Sequence, residues 1–483
     1  MPFNYQKRKP LNFAPDGDSL TPDILLDGND FYPTPAGLRT LPKLIQQSER
    51  FPQPVRGSTV VTFAGSTGNE LIVAGSSNYL GVILAQNLGD PNVLVAWGAQ
   101  DIGNPPNTSL PLGVARWRFA FYNNQVFAVD GLRAPYVADA TGLSINPLAA
   151  WDPLAGNPPI SSIVASSDYA LWLIEANSAT WHATLNPTNW VDSTPRQTSS
   201  ATLWQTPGDI TGARALRSQM VLYKRNSIFV GSITTLGWGF QEISRQTGAV
   251  SHESIVSVQD VHYFLGPDDF WTLDGYSLNR LPNQLRQWFF ARANPAALAF
   301  VIGRYDEQRN LIFWHYSTTN DWYNPNEWIA YNVRTGQWTI GQREIQMSAG
   351  SLSMVPVTAG VVPGDTCGLF QADNALWFYD WLNGTDANPG SFFTTGDLGD
   401  RHYMYQLSRV RPGIMVNSGT PQLQLLSTYT PGGTYTAGPA IDLTIDGWFN
   451  TLNTARLQRL RVSTDKILEL VDYEVQFSQV GDR

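Results

Sequence analysis

The chain has 483 residues, of which 42% are hydrophobic and 15% are charged, so it can bury a large core and is too long for a single compact module. This balance excludes an intrinsically disordered protein. A net charge of −9 argues against a protein that grips duplex nucleic acid, because phosphate contacts require a basic face.

The first segment, residues 1–55, is predicted to be an N-terminal arm. It lacks the apolar core of a secretory signal peptide, and no run of the chain reaches the length of a membrane span. We therefore expect neither ordinary export nor a membrane anchor. A basic cluster, Lys7, Arg8 and Lys9, is interpreted as a solvated tail, with a docking arm for an acidic partner as the alternative.

A recurring hairpin dominates the next segment, residues 56–395. Each copy is an apolar strand, a polar turn and a second apolar strand, often followed by a turn such as Asp-Gly. Aromatic residues, 12% of the chain, suit strands better than helices. About seven copies recur roughly every 50 residues. They occupy residues 71–84, 117–131, 171–181, 220–230, 262–275, 311–338 and 369–379.

The period favours a β-propeller over a sandwich. A lone hairpin cannot bury its faces, so each copy must stack on a neighbour. The strands are apolar at nearly every position, as expected where both faces of a blade pack against adjacent blades. A sandwich predicts cleaner alternation and no longer period. The sequence therefore predicts an all-β protein with a propeller of six or seven blades.

One segment inside the propeller, residues 282–292, reads as a short helix. It begins with Pro282 and carries apolar residues at helical spacing. Its cluster of Trp288, Phe289 and Phe290 is interpreted as a plug packed against the blades. A knob that binds a partner is the alternative.

The last segment, residues 396–483, is predicted to be a small β-sandwich. Its strands alternate polar and apolar residues, as in Leu457-Gln458-Arg459-Leu460-Arg461. Alternating arginines indicate a solvated or ion-paired face, which in an oligomer can also meet a neighbouring subunit. The arginines concerned are Arg401, Arg409, Arg411, Arg456, Arg459 and Arg461.

The sequence offers no catalytic, cofactor-binding or metal-binding motif, so we expect a protein that is not an enzyme and needs no cofactor. Glycine-rich phosphate loops and the Gly-x-Ser-x-Gly nucleophile motif are missing from it. The single cysteine, Cys367, permits no cysteine-based metal site and no intrachain disulfide. None of the histidines forms a pair with metal-ligand spacing. They are His182, His252, His262, His315 and His402.

Carboxylates leave one enzymatic alternative open. Glycoside hydrolysis needs two converging carboxylates. Asp268 and Asp269 are adjacent, but turn chemistry explains them. Carboxylates from distant blades can converge in ways that the sequence does not reveal. The abundant Trp and Tyr would also suit sugar stacking, so a carbohydrate-binding or carbohydrate-cleaving propeller is the alternative function, and a generic protein-binding propeller is a third.

The order of several motifs resembles the packaged-DNA stabilisation or tail nozzle proteins of short-tailed bacteriophages. In the propeller segment these motifs are residues 221–229, 248–251, 263–266, 270–275 and 311–314. Near the N-terminus they are residues 29–33 and 37–42. The chain departs from the pattern at Pro42-Lys43, where many members of the family have Pro-Gly.

The resemblance implies a structural protein of the virion tail, assembled in the bacterial cytoplasm as a ring, typically a homohexamer, below the portal and adaptor proteins. Such a ring retains packaged DNA and forms part of the ejection channel, and it can carry a tail fibre or a tail needle. DNA then passes through the lumen without sequence recognition. Since an acidic wall repels phosphate, we expect acidic residues to line that lumen.

Overall fold

The structure is a computed structural model of the chain. It describes residues 4–9, 12–21, 23–62, 70–88, 93–104, 116–139, 145–148, 158–191, 198–235, 237–352, 354–357, 360–363, 367–380 and 385–481. The described residues are mostly β-strand, with one α-helix and two short 3₁₀ helices, Ala85–Asn87 and Pro295–Phe300. The predicted all-β class is confirmed.

Six short strands occupy the segment predicted as an N-terminal arm. They are β1 (Asn4–Arg8), β2 (Asn12–Phe13), β3 (Ile24–Asn29), β4 (Phe31–Pro33), β5 (Leu38–Thr40) and β6 (Leu44–Gln46). Strands β1, β3 and β5 pair with strands from the C-terminal part of the chain, and β2 and β4 join the same sheets by pairing with β3 and β5. Strand β6 pairs with the propeller. This segment is therefore built into both folded parts of the protein.

Seven four-stranded antiparallel sheets follow in the described residues. Blade 1 consists of β7 (Gly57–Thr62), β8 (Glu70–Gly75), β9 (Tyr79–Leu84) and β10 (Gly98–Asp101). Blade 2 consists of β11 (Arg118–Tyr122), β12 (Gln125–Val129), β13 (Tyr136–Asp139) and β14 (Ile145–Pro147). Blade 3 consists of β15 (Ser161–Ser166), β16 (Leu171–Glu175), β17 (Thr180–Thr184) and β18 (Thr198–Thr202).

Blade 4 consists of β19 (Ile210–Leu216), β20 (Gln219–Lys224), β21 (Ile228–Thr234) and β22 (Gly237–Ser244). Blade 5 consists of β23 (Ile255–Val258), β24 (Val261–Leu265), β25 (Phe270–Leu273) and β26 (Leu278–Arg280). Blade 6 consists of β27 (Ile302–Asp306), β28 (Leu311–Tyr316), β29 (Glu327–Asn332) and β30 (Gln337–Gln342). The helix α1 (Arg286–Arg292) lies between blades 5 and 6.

Blade 7 is closed by a strand from the other end of the propeller. It contains β31 (Met347–Ser351), β34 (Cys367–Phe370) and β35 (Leu376–Tyr379), and a separate hairpin of β32 (Met354–Val357) and β33 (Gly360–Pro363) lies between the first two. The fourth strand is β6, in which Ile45 pairs with Phe378. Residues before blade 1 therefore complete the last blade.

The first strands of the blades form a closed ring. Each contacts the first strand of the next blade, and β31 contacts β7 to complete the circle. The predicted propeller is confirmed, with seven blades among the described residues. The predicted hairpins coincide with central strands of these blades, except that the copy at residues 117–131 matches the first two strands of blade 2.

Turn chemistry fixes the register of that hairpin. Asn123 and Asn124 have φ angles of 47° and 61°, as a two-residue type I′ turn requires. Asparagine tolerates this left-handed conformation better than most residues. Tyr122 consequently pairs with Gln125 and the strands remain in step up to Arg118 opposite Val129.

Large aromatic side chains fill the spaces between blades. Five tryptophans of the described residues are fully buried: Trp117, Trp172, Trp314, Trp328 and Trp338. Trp117 fits between blades because Gly57 and Gly75 lack side chains, and a Cβ at either position would collide with it. Burial of both faces explains why the blade strands are apolar at nearly every position.

The C-terminal strands form a sandwich of two sheets. These strands are β36 (Asp386–Thr395), β37 (Leu398–Gly399), β38 (Met404–Asn417), β39 (Gln422–Thr428), β40 (Thr436–Asp442), β41 (Phe449–Ala455), β42 (Leu457–Lys466) and β43 (Leu468–Gly481). One sheet has the order β4-β5-β43-β38-β41 with β1 beside β43, and the other has the order β2-β3-β36-β42-β39-β40 with β37 beside β42. The predicted sandwich is confirmed.

The sandwich sits against blade 6. The outer strand β30 contacts β2, β3 and β4, and the backbone N–H of Trp338 donates to Asn12 Oδ1 at 2.8 Å. Beside it, Arg343 donates to both carboxylate oxygens of Asp30 at 3.0 and 2.9 Å. The two folded parts are thus joined by buried polar bonds as well as by chain connections.

The predicted helix is present but begins later than the sequence indicates, at Arg286 rather than at Pro282. Its start is set by a distant residue, because the carboxylate of Asp16 accepts the backbone N–H groups of Gln287 and Trp288 at 2.6 and 3.0 Å. Phe289 is fully buried against the propeller, and Trp288 packs on Phe13 of the sandwich at 4.9 Å. The helix fills the junction between the two parts.

Candidate functional site in the propeller channel

The first strands of the blades enclose an axial channel. A cavity of about 230 Å³ lies in it, lined by residues of blades 1, 2, 4, 5, 6 and 7. A second cavity of about 260 Å³ adjoins it toward blade 3 and shares Arg214 and His252 as lining residues. Ser58, Thr59 and Ser257 also line the first cavity.

Four arginines from three blades converge on this channel. They are Arg116 and Arg118 at the start of blade 2, Arg214 on β19 and Arg304 on β27, and are called the arginine cluster below. Arg214 and Arg304 are among the residues that line the first cavity. Guanidinium groups remain charged under all ordinary conditions, so the cluster places four positive charges in a largely buried space.

One carboxylate, Glu253, faces the cluster among the described lining residues. Its Oε2 lies 2.6 Å from Nη1 of Arg304, and both side chains are largely buried. Burial alone would raise the pKa of Glu253, but the charges of Arg304 and Arg214 hold it well below its usual range. Glu253 is therefore ionised and neutralises one of the four guanidinium charges.

Burial opposes the charge of the remaining arginines. Desolvation, opposed by the attraction of Glu253 and reinforced by the neighbouring guanidinium groups of Arg118 and Arg304, lowers the pKa of Arg116 to about 9. Arg116 donates to the carbonyl of Phe300 at 2.8 Å. Burial also lowers the pKa of Arg118 and of Arg214. The cluster is thus held in place at an electrostatic cost.

Hydrogen bonding within the cluster is uneven. Arg304 donates to the carbonyls of Ser348 at 3.1 Å and Gly303 at 2.8 Å. The buried Nε atoms of Arg118 and Arg214, in contrast, have no hydrogen-bond partner among the described residues. Arg118 does donate through Nη1 to the carbonyl of Ser162. Arg214 is the member of the cluster that combines an unpaired Nε with a place in the walls of both cavities.

His252 completes the wall beside Arg214. Its Nδ1 accepts the backbone N–H of Ala213 at 3.3 Å. Burial, reinforced by the charge of Arg214, lowers the pKa of His252 well below its usual value. The ring is therefore neutral, with its proton on Nε2, and adds no charge to the site.

The other residues singled out in the sequence have separate structural partners. His182 lies 2.8 Å from Glu175, His262 is buried between blades 4 and 5, and His402 is exposed. Within the described ranges, no three His, Cys, Asp or Glu residues form a group that could hold a metal ion. Cys367 is buried, which raises the pKa of its thiol to about 12.

Asp268 and Asp269 are held by bonds around their turn. Asp268 accepts from Arg280 at 3.1 Å, and Asp269 accepts from Asn283 at 2.8 Å. The channel wall offers Glu253 alone as a carboxylate among its described residues, so the converging pair that a glycosidase requires is not found in that part of the chain.

Sequence reasoning missed the arginine cluster. Its members are separated by up to 188 residues, and only the closure of the ring brings them together. A usable signal was present in two of them: Arg214 and Arg304 interrupt strands of small or apolar residues, in Gly212-Ala213-Arg214-Ala215 and Ile302-Gly303-Arg304-Tyr305. A charge at such a position in a blade is unexpected unless it faces the channel.

The sandwich carries a second feature, an apolar free edge. The strands β40 and β41 are the terminal strands of the two sheets, on the side away from the contacts with blade 6. Two large apolar side chains are exposed there: Ile445 at 109% and Leu452 at 77% of full exposure. We call β40, β41 and the turn at residues 443–448 the sandwich edge.

Three of the six arginines singled out in the sandwich form ion pairs: Arg401, Arg459 and Arg461. Arg459 is 2.7 Å from Asp397 and stacks on Tyr435, while Arg461 is 2.9 Å from Asp27. These bonds connect the C-terminal strands with each other and with β3. In the basic N-terminal cluster, Lys7 on β1 lies 2.8 Å from Asp472 on the neighbouring strand β43.

Comparison with known proteins shows likeness of fold alone. No protein-family model matches the chain, and no curated protein matches it. The N-terminal domain of Nup159 is 11% identical, with a TM-score of 0.43 over 77% of this chain and 98% of that chain. The Pan2 WD40 domain of Neurospora crassa is 9% identical, with a TM-score of 0.40 over 70% and 96%. YCF48 from Cyanidioschyzon merolae is 11% identical, with a TM-score of 0.40 over 68% and 98%.

Membrane insertion through a helix finds no support in the described part of the chain. Its one α-helix, α1, has seven residues, and none of the described helices has the length and hydropathy needed to cross a bilayer.

Proposed function

We propose that this chain is a structural subunit of the tail nozzle of a short-tailed bacteriophage. In this proposal several copies form a ring, typically six, below the portal and adaptor of the virion. The ring retains packaged DNA and forms part of the ejection channel, without sequence recognition and without catalysis. The order of motifs in the sequence supports the family, and the sandwich edge supports the ring.

The sandwich edge is the observation that carries the proposal. Its exposed apolar residues, Ile445 and Leu452, lie in the turn before β41 and on β41 itself. The opposite side of the sandwich is covered by blade 6, so this edge faces outward. Apolar groups gathered on one free side mark a protein interface. A second copy of the chain is the occupant that a ring requires.

The composition of the neighbouring face agrees with an interface. Arg409 and Arg411 are exposed on β38, next to β41, and Arg411 lies over the ring of Trp448 at 5.5 Å. Protein interfaces are enriched in arginine and aromatic residues and depleted in lysine. The whole chain has 17 tryptophans but few lysines. Strand-to-strand pairing of β40 with another subunit is disfavoured, because Pro439 has no backbone N–H to donate. Contacts between subunits at this edge should therefore be made by side chains.

The proposed path of DNA is the lumen of the ring and not the channel of the propeller. A cavity of about 230 Å³ is far too small for a duplex, and its arginine cluster would bind phosphate rather than release it. With a net charge of −9, the chain has acidic residues available for a lumen that repels DNA. A strongly basic lumen in the assembled ring would contradict this part of the proposal.

The direct test is binding to portal–adaptor complexes of a short-tailed phage. We expect negative-stain images of the mixture to contain a ring-shaped cap below the adaptor, with a mass that corresponds to several subunits. A protein that remains separate from these complexes and stays monomeric would contradict the proposal. Turnover of bacterial surface polysaccharide by the same preparation would instead favour the carbohydrate-cleaving alternative.

A further inference from the structure

The propeller channel carries more positive than negative charge, and nothing in the proposed nozzle role uses it. The four guanidinium groups of the arginine cluster face one carboxylate, that of Glu253. A fifth arginine, Arg56, lies close to Arg116, but its own side chain donates to Asn324 at 3.2 Å. A buried charge is normally paired, because its desolvation is otherwise costly. The described residues leave this excess uncompensated.

Arg214 is the arginine of the cluster that is short of hydrogen-bond partners. Its buried Nε donates to no described residue, whereas Arg304 is engaged by Glu253 and by backbone carbonyls. A guanidinium has five donors in a planar fork and favours an oxyanion that accepts two of them at once. Arg214 borders both cavities, so an anion in either space can reach it.

The cavity has the size and lining for such an anion. Its volume of about 230 Å³ holds a tetrahedral oxyanion with a few waters, since a water occupies about 30 Å³. Ser257 borders the space, and its hydroxyl can donate to an oxygen atom of the ligand. Neutral His252 offers a further donor at Nε2.

We propose that the channel of the propeller is an anion site that binds phosphate, with Arg214 as the principal ligand-binding residue and Arg304 and Arg118 as supporting charges. A divalent oxyanion offsets more of the excess charge than a monovalent ion. Its oxygens match the fork of a guanidinium in a way that chloride does not. The binding group is a phosphate dianion, either free or carried on a small molecule.

The test is calorimetric titration of the full-length protein with inorganic phosphate, at constant ionic strength set with sodium chloride. We expect saturable binding by the native protein. Arg214→Gln should weaken it by about tenfold or more, the loss expected for a charge-assisted hydrogen bond. Arg225→Gln is the matched control, because Arg225 lies in the same blade but is exposed in the turn after β20. It should bind phosphate like the native protein.

Thermal stability provides a second measurement of phosphate binding, which also detects weak binding. In phosphate-free buffer Arg214→Gln removes one uncompensated buried charge, so its Tm should equal or exceed that of the native protein. Phosphate should raise the Tm of the native protein and of Arg225→Gln, but not that of Arg214→Gln. Arg214→Lys keeps the charge without the fork and should give an intermediate response.

Two outcomes would overturn the proposal. One is a phosphate response of Arg214→Gln equal to that of the native protein. The other is a native protein that responds to phosphate no more than to added chloride at the same ionic strength. A parallel titration with a nucleoside monophosphate distinguishes the sources: competition with inorganic phosphate indicates a carried group, and no competition indicates the free anion. Because the cavity lies within one propeller, these results do not depend on ring assembly.

Discussion

Individual polar residues in the propeller core connect one blade to the next. His262 on β24 donates through Nε2 to the carbonyl of Ala215 at 2.9 Å and accepts through Nδ1 from the hydroxyl of Tyr223 at 2.8 Å. Both partners belong to blade 4. Such bonds require a neutral ring, and burial of the imidazole works in the same direction. The charge state of these residues is therefore coupled to the folded state.

We expect the free energy of unfolding to decrease as pH falls from about 6.5 toward 4. Burial lowers the pKa of His262 to about 4 and that of His315 to about 3, and it lowers the pKa of His252 strongly. Below the ordinary histidine pKa the unfolded chain binds protons that the folded chain does not. Each such histidine therefore costs about 1.4 kcal/mol per pH unit in this window. Urea unfolding at several pH values measures the slope.

His315→Leu tests this origin of the pH dependence. His315 is buried and its Nδ1 has no hydrogen-bond partner among the described residues, so leucine removes a titrating group without breaking a bond at that atom. We expect the slope of stability against pH to decrease by about a third. A slope identical to that of the native protein would contradict the assignment.

Among the elements, the short strand β6 closes the propeller by completing blade 7. It has three residues and joins the region before blade 1 to the outer edge of blade 7. Flanking bonds fix its register, since Gln47 donates to the carbonyl of Leu376 at 2.9 Å and Asp380 donates to that of Lys43 at 2.7 Å. Backbone N–H groups of alternate residues in β6 point toward β35. The N–H of Ile45 therefore points toward β35, as that of Gln47 does, and Ile45 pairs with Phe378.

Ile45→Pro should open this closure. The substitution removes a backbone donor from the side of β6 that faces β35, and it also removes a partly buried side chain, for a loss of at least about 1 kcal/mol. We expect faster cleavage by protease within residues 44–56 and a lower denaturation midpoint.

Gln46→Pro is the control for that change. Gln46 has the opposite parity, so its backbone N–H points away from β35, where proline is tolerated on an outer strand. Equal effects of the two prolines would mean that general strain, rather than the closing ladder, determines stability there.

The predictability of each element from sequence follows from how local its signal is. The central strands of the blades, such as Leu171–Glu175, are buried on both faces and stand out as apolar runs. Outer strands such as Gly237–Ser244 are half exposed and carry no comparable signal. The closing pair of Ile45 and Phe378 and the arginine cluster depend on contacts between distant segments. The small and apolar neighbours of Arg214 and Arg304 are a local sign of the cluster, but a single sequence does not show which distant segments meet.

At the scale of the whole molecule, the sandwich edge sets how the protein meets its surroundings. The propeller and sandwich are held together by blade 6, α1 and the N-terminal strands, so both parts present a fixed outer surface. In the proposed ring, the exposed Leu452 and Ile445 are covered by the next subunit. The ring and the anion site are independent proposals, because one uses the sandwich edge and the other the propeller channel.

Leu452→Asp should prevent ring formation without unfolding the subunit. The side chain is exposed in the single chain, so its replacement costs little folding free energy, whereas a carboxylate buried at an interface without a partner is strongly unfavourable. Tyr276→Asp is the control, because Tyr276 is similarly exposed in a turn of blade 5, far along the chain from the sandwich. We expect gel filtration to show subunits for the first variant and the native assembly for the second.

The measurement that tests the central claim most directly is the mass of the purified native particle. The chain has a mass of 53.4 kDa, so particles of one subunit and of several are readily distinguished by mass photometry or native mass spectrometry. The account predicts a closed assembly of several subunits, alone or after addition of portal–adaptor complexes. A particle that remains at the mass of one chain under both conditions would contradict it.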